Sequence, residues 1–538
     1  MVARPVLRQR VRFGRSWRFI HVLQFAAAIA LLASVAAART PTDTLVVGQV
    51  AEPKSLDPHT VTSLNDFRIA ASLYQGLVRF KPGTLEIAPA LAERWEISDD
   101  GRVYTFDLRK GVRFQDGTPF DAAAVKFNFD RMRDKNNPYH NTGPFPLAFF
   151  FKAIRTIRVL GPHRIRFMLD RPFAPLLSNL AYPAGFIVSP AAVRKWGKAY
   201  GRHPVGTGPF RFMRWDSRRR VVLVRYAGYA GPRPHLKRLV FAPIPDANTR
   251  VAAFLAGEID VLLGAPPDVI AALRHRRDLR VIERTGPHLW FLILNMRRGP
   301  FRDRRLRLAA NLAIDKTALV RDVLQGTATV AAGVIPPAFA WADNPAVRPY
   351  PYDPDRARRL VRAAGYDGRP IVFYVTEGGS GMLAPLAMAT AIQADLAAVG
   401  LKAEIRKFEW NAYLSRVNAG LDDKADMAEM AWMTDDPDTL PYLALRRGAW
   451  PSKGGFNSGY YANPEVDRLL ERARRATDRK VRAAAYRKVE AIVHHDVPWV
   501  VVANWRQNVV VRRTVRGLRL EPSFLLRFVG VEKRAPGG

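Results

Sequence analysis

The sequence predicts an α/β protein that carries an α+β insertion in its first half, and three observations carry that prediction. Residues 369–407 read strand, helix, strand: an apolar run at 370–376, then Leu386, Ala389, Ile392, Leu396 and Val399 on one helical face, Gly400 as a stop, and a second strand at 401–407. Such a βαβ unit makes a right-handed crossover and a parallel sheet covered by helices. Residues 95–108 (WEISDDGRVYTFDL) form two alternating runs around Asp99-Asp100-Gly101, which is hairpin chemistry. Helical faces with capping residues then recur through the second half, with no internal repeat and no long linker.

In chain order, Arg4, Arg8, Arg10, Arg12, Arg15 and Arg18 precede an apolar run at 22–35 broken only by Gln24 and Ser34, and Ala36-Ala37-Ala38 follow. This is the three-part pattern of an export signal, with cleavage expected near Ala38. The run falls short of the roughly 20 apolar residues of a membrane span; a retained N-terminal anchor is the alternative. The rest of the chain is therefore expected outside the cytoplasm. Residues 44–50 (TLVVGQV) read as a buried strand and 66–74 as a short helix. Asp121 can cap a following helix by accepting its orphan amide hydrogens, so about 75–204 is expected to be hairpins plus helices. Asp303 precedes a helix with Leu306, Ala309, Ala310 and Ala313 inward; Asp315 precedes another that ends at Gly326. Asn463-Pro464 opens a third, with Val466, Leu469, Leu470 and Ala473 on one face.

Composition excludes several chemistries. The 538 residues hold no cysteine, which removes disulfides, thiolate metal sites, a cysteine nucleophile and lipid attachment to an N-terminal cysteine. Lys and Arg number 84 against 48 Asp and Glu, a net charge of +36 that invites a nucleic-acid reading. The basic residues are spread among apolar segments instead of forming one run with interleaved aromatics, so no nucleic-acid partner is expected.

Catalytic and nucleotide signatures are missing: Gly378-Gly379-Ser380-Gly381 has the wrong spacing for a nucleophile elbow, and no Walker loop, H-E-x-x-H or strand-linked G-x-G-x-x-G occurs. His494 and His495 are adjacent on a helix and point about 100° apart, which cannot share a metal; no metal and no cofactor is expected. What stands out is residues 428–443 (AEMAWMTDDPDTLPYL), acidic inside a basic protein. A strand-like run at 427–433 leads into Asp435, Asp436 and Asp438, so a carboxylate would sit at a strand's carboxyl end, where α/β sheets place ligands. The same aspartates could instead cap the next helix or form an Asx turn. Both readings stand at this point.

Several motifs together resemble the extracytoplasmic solute-binding proteins of family 5, the dipeptide, oligopeptide and nickel receptors of ABC importers. They are EPKSLDPH at 52–59, LYQGLV at 73–78, LAERW at 91–95, YTFDLRKGVRF at 104–114, DGTP at 116–119, PVGTGPF at 204–210, RLAANLAIDK at 307–316, residues 432–438, and YYANPEVDRLL at 460–470. The resemblance implies a two-lobed class II periplasmic binding protein fold with an extra α+β subdomain in lobe I. Lobe I would comprise 39–74, 205–290 and 505–538, the insertion 75–204, and lobe II 291–504. Asn295 and residues 498–504 would lie near the crossings that make the hinge. The family's ligand, a small molecule or extended peptide, lies between the lobes, and the closed receptor, a monomer, docks on an inner-membrane ABC permease. Matched by motif, Asp435 would hold the ligand ammonium, with Asp436 as the alternative because the acidic loop is compressed. Ala431, Trp432 and Met433 would offer one pairing edge and Thr62, Ser63 and Leu64 the other, by β-augmentation. Trp410 and Trp432 either stack on ligand or fill core. Glu429 stands where one oligopeptide branch has an arginine for the peptide carboxylate. An oligosaccharide, opine or nickel chelate is the rival solute, and a hydrolase on this scaffold the rival class.

Overall fold

The strand expected from TLVVGQV, Thr44–Gln49, lies inside a twelve-stranded mixed sheet. In this computed structural model, which describes residues 40–535 except Ser380 and Asp423, the sheet runs Ala403–Phe408, Ile371–Thr376, Met427–Met433, His288–Leu294, Trp499–Arg512, Val261–Leu263, Thr44–Gln49, Arg238–Pro243, Arg220–Arg225, Phe210–Asp216. Leu279–Thr285 and Ala328–Val330 also pair with Trp499–Arg512. The expected export signal, residues 1–38, lies outside the described residues. No helix of the described chain is long and apolar enough to cross a membrane.

The βαβ unit forms as its periodicity requires. Ile371–Thr376 and Ala403–Phe408 pair in parallel, and the helix Pro385–Ala398 makes the crossover. Ala389, Ile392, Leu396 and Val399 are buried against the sheet, but Leu386 is 39% exposed. The helix starts at Pro385, so Leu386 falls in the outward half of the first turn and the buried Met388 fills the inward position. The capping residues also act as read. Asp121 accepts from Ala124 N at 2.8 Å, Asp303 from Arg305 N at 2.7 Å, Asp315 from Ala318 N at 2.8 Å, and Asn463 from Glu465 N at 3.0 Å. After Lys316–Ala318 the helix widens into a π turn, Leu319–Val323, before Gly326 ends it at positive φ.

The hairpin Ala92–Ile97 with Val103–Leu108 belongs to a separate four-stranded antiparallel sheet with Ile154–Gly161 and Arg164–Leu169. Its core is its own: Phe106, Phe129, Phe151 and Phe167 meet edge to face at 5.0–5.4 Å between ring centroids, an arrangement favoured by the ring quadrupoles. Two of the family-like motifs fasten this unit to the large sheet. In LDPH, Asp57 forms a buried ion pair with Arg131 of the helix Ala122–Arg133, and His59 Nε2 reaches Phe186 O at 2.8 Å. In PVGTGPF, Gly206 O accepts from Gln115 N of this unit at 2.9 Å, while Gly208 N donates at 2.9 Å to Leu73 O of the helix Leu64–Leu73, where a Cβ on Gly208 would sit 2.5 Å from the Leu73 carbonyl carbon. Only glycine lets these backbones approach.

The fourteen-residue strand Trp499–Arg512 spans both halves of the large sheet. Its first part pairs with His288–Leu294 and its last part with Leu279–Thr285 and Val261–Leu263. The second connection between the halves is Gly286-Pro287. His288 ties the two connections together: Trp505 N donates to its Nδ1 at 3.1 Å, which leaves the proton on Nε2 to be donated to Gly381 O at 2.8 Å. Asn504 Nδ2 donates to His288 O at 2.8 Å. Burial pushes the imidazole pKa down to about 4, so it is neutral. Asn295, which the resemblance puts near this hinge, lies at the far end of His288–Leu294, where Nδ2 donates to Asp422 O and Ala425 O. The crossing sits at the start of that strand, because the strand's whole length is paired within the second half.

Candidate functional site

A cleft of about 360 Å³ opens between the residue 146–182 region and the sheet half that contains Met427–Met433. One wall is Pro146, Leu147, Phe149, Phe150 and Tyr182; the other is Phe291, Ile293, Trp410, Leu414, Met430, Ala431, Trp432, Met433, Leu443 and Phe456. A smaller cavity of about 30 Å³, lined by Thr62, Leu64, Phe67, Tyr182 and Met433 among others, adjoins it. Asp435 lines both. None of the described lining residues of either space is Lys, Arg or His.

The strand Met427–Met433 presents a partly free edge to this cleft. Along its whole length it pairs antiparallel with His288–Leu294, but on the other side Ile371–Thr376 pairs only with Met427 and Ala428. Beyond that point Glu429 turns inward: its Oε1 accepts from Thr376 N at 2.8 Å, and burial raises its carboxyl to about 8, so it keeps its proton at neutral pH. It is fully buried and lines neither space.

The three aspartates after the strand have three different surroundings. Asp436 accepts from Asp438 N at 3.0 Å, which is an Asx turn, and from Ser178 Oγ at 3.1 Å, and it is ion-paired with the buried Arg482. Asp438 lies 3.1 Å from Arg474 Nη2. Burial opposes the charge on Arg482, and the Asp436 carboxylate outweighs it, so the guanidinium pKa lies above its ordinary value. Asp435 has no cation. Its Oδ1 accepts from Thr439 Oγ1 at 3.0 Å, and its buried Oδ2 has no hydrogen-bond partner. Burial, with help from the Asp436 charge, raises the Asp435 carboxyl from 3.8 to about 7. Thr434 N donates to Pro287 O at 2.9 Å, so this loop is anchored to one of the two interhalf connections.

Of the residues singled out by sequence, Ala431, Trp432, Met433, Trp410, Thr62 and Asp435 line the main cleft, and Leu64 lines the smaller cavity. Trp432 meets Phe456 edge to face at 5.3 Å and is half-buried, so it serves core and cleft together. Trp410 opens the helix Trp410–Asn418 above Gly379, where any side chain would overlap the indole. Ser63 instead caps the helix Leu64–Leu73, accepting from Asn65 N at 3.2 Å, and residues 62–64 are not a strand. Asp436 is occupied by Arg482. His494 stacks on Tyr350, with centroids 4.2 Å apart, and the described residues hold no cluster of three or more metal-ligating His, Asp or Glu side chains. Sequence reasoning missed Arg474, Arg482 and the Phe149, Phe150, Tyr182 wall; the run AFFF at 148–151 was a signal for the wall.

Residues 86–453 match the family model of bacterial extracellular solute-binding proteins, family 5. The chain belongs to this family. It is 33% identical over 521 residues to the di/tripeptide-binding protein 2 of Pseudomonas aeruginosa, covering 93% of this chain and 97% of that one. It is 32% identical to a glutathione-binding protein of Escherichia coli, covering 88% and 90%. Among solved structures, the ABC transporter-associated periplasmic binding protein DppA from Helicobacter pylori, in complex with the peptide STSA, has a TM-score of 0.78 at 32% identity, covering 91% of this chain and 98% of that one. The α/β class II binding-protein fold thus holds for this chain, and its role is that of a solute-binding protein. Its relatives are binding proteins, not enzymes.

Proposed function

We propose that this family 5 receptor takes short peptides for an inner-membrane ABC permease, holding the peptide ammonium on Asp435 and its backbone on the free edge at residues 430–433. The observation that carries this reading is the carboxylate itself. A buried carboxyl without a cation is costly, and among the three aspartates of the loop only Asp435 faces the cleft without one. A ligand ammonium supplies the missing charge, and charge-assisted hydrogen bonds of this kind contribute about 1.5–3 kcal/mol each. Peptide ligands named for the Pseudomonas and Helicobacter relatives support the same class. Lobe I would comprise 39–74, 205–290 and 505–538 with the insertion 75–204, and lobe II 291–504. Closure about Gly286-Pro287 and the middle of Trp499–Arg512 would bury the ligand, stabilised only by contacts made to both lobes. The receptor would work as a periplasmic monomer, its signal removed near Ala38.

Calorimetric titration of the exported protein with the dipeptide Leu-Phe tests the assignment. Asp435→Ala is expected to weaken binding at least tenfold, about 1.4 kcal/mol. Equal affinity of the two proteins would refute the role given to Asp435.

A further inference from the structure

Given the reading of Asp435 as the ammonium site, on which this step rests, we infer that the cleft selects peptides with aromatic or aliphatic side chains and does not read a ligand carboxylate, so that ligands with several anionic groups are excluded. The charge pattern of the lining carries the inference. Its described residues include one unpaired acid and no Lys, Arg or His, although the chain has 84 basic residues. Beside the loop, the partly buried Arg474 and the buried Arg482 are committed to Asp438 and Asp436. A ligand carboxylate pressed against this wall would lose its hydration without gaining a partner, and one beside Asp435 would meet a like charge. Anionic ligands therefore bind only as far as their carboxylates stay in water.

The rest of the lining favours apolar side chains. Phe149, Phe150 and Tyr182 face Trp410, Trp432 and Phe456 across the cleft. Phe149 is 43% exposed, so its ring is open to a ligand side chain. A volume of about 360 Å³ lies within the ordinary range of roughly 300–1,000 Å³ for a small-molecule site. Burial, with a smaller contribution from the nearby Asp435 charge, raises the Tyr182 phenol pKa, and its ring meets Phe67 and Phe150 edge to face at 5.3 and 5.8 Å. An ammonium on Asp435 would share its space with Tyr182, Phe67 and Phe150, and aromatic rings attract a desolvated cation.

The test is a calorimetric panel on the exported protein at pH 7: Leu-Phe, its C-terminal amide, its N-acetyl form, Leu-Asp, and glutathione, which carries two carboxylates. The amide is expected within threefold of Leu-Phe, Leu-Asp at least thirtyfold weaker, and glutathione without measurable binding at millimolar concentration. An amide more than tenfold weaker than Leu-Phe would mean that a cation reads the carboxylate, and would overturn the inference. So would Leu-Asp or glutathione binding as tightly as Leu-Phe. The N-acetyl peptide separates the two levels of argument: at least a tenfold loss keeps Asp435 as the ammonium site whatever the other arms give, whereas binding equal to Leu-Phe defeats that reading itself. Absence of binding by the whole panel at millimolar concentration defeats both.

Discussion

Lowering the pH should uncouple the receptor from a peptide whose ammonium sits on Asp435. In the free protein, burial holds the Asp435 carboxyl at about 7, against 3.8 for an ordinary aspartate. Between those values the folded chain keeps a proton that the unfolded chain has lost, so the free energy of unfolding falls as pH rises through this window. Each unit contributes at most about 1.4 kcal/mol, for a ceiling of about 4 kcal/mol reached above pH 7. Ligand binding has the opposite sign, because the ammonium pairs with the ionised form. A group with pKa 7 is roughly half ionised at pH 7 and about 1% ionised at pH 5, so affinity for Leu-Phe should fall about fiftyfold over that interval. The ligand amine, with a pKa near 8, stays protonated throughout it. Calorimetry at pH 6 in buffers of different ionisation enthalpy should register release of close to one proton per peptide bound. Asp435→Asn should bind weakly with little pH dependence, and its ligand-free form should melt above the native sequence at pH 8. Affinity that is flat from pH 5 to 7, or a native-like profile in the Asn variant, would refute the reasoning.

Arg482→Met should cost about 3–5 kcal/mol in urea unfolding, because it leaves the Asp436 carboxylate buried without its partner; Arg468→Met, which removes an exposed pair with Glu465, should stay within about 1 kcal/mol. A loss below 1 kcal/mol for Arg482→Met would mean that Asp436 is not held by this pair. Gly206→Ala would drive its Cβ into the Leu73 carbonyl oxygen and should destabilise by about 1–3 kcal/mol in thermal melts, with peptide affinity unchanged in the folded protein; an unchanged melt would show that the backbones can separate at no cost.

The features that sequence made legible are those set by near neighbours. Asp121, Asp303, Asp315 and Asn463 cap helices because the amides they accept from lie two or three residues away, and the strand at 427–433 follows from its own apolar run. The three aspartates after it could not be told apart by such rules. Asp436 and Asp438 take their arginines from the helices Arg479–Asp496 and Pro464–Arg475, and which carboxylate a guanidinium reaches is decided by how those helices dock, not by spacing. A chain with so many arginines offers a partner for every acid on paper, which is why the resemblance could name Asp435 with Asp436 as its alternative, while only the docking of those helices leaves Asp435, of the three, without a cation.

The hinge was only half legible. The resemblance puts the crossings near Asn295 and residues 498–504, and the second stretch reaches Asn504, the first residue of the polar patch in WVVVANWRQNVVVR at 499–512. In the structure the patch is the crossing: Asn504, Gln507 and Asn508 are all buried although they interrupt the apolar pattern. Strand pairing changes hands there, from His288–Leu294 to Leu279–Thr285, and a buried amide side chain can satisfy backbone groups that neither neighbouring strand reaches. Asn504 does so by donating to His288 O at 2.8 Å. A polar break in the middle of a long buried strand therefore marks where one sheet half hands over to the other, and replacing those amides with valine would extend the apolar run while leaving the His288 carbonyl without its donor.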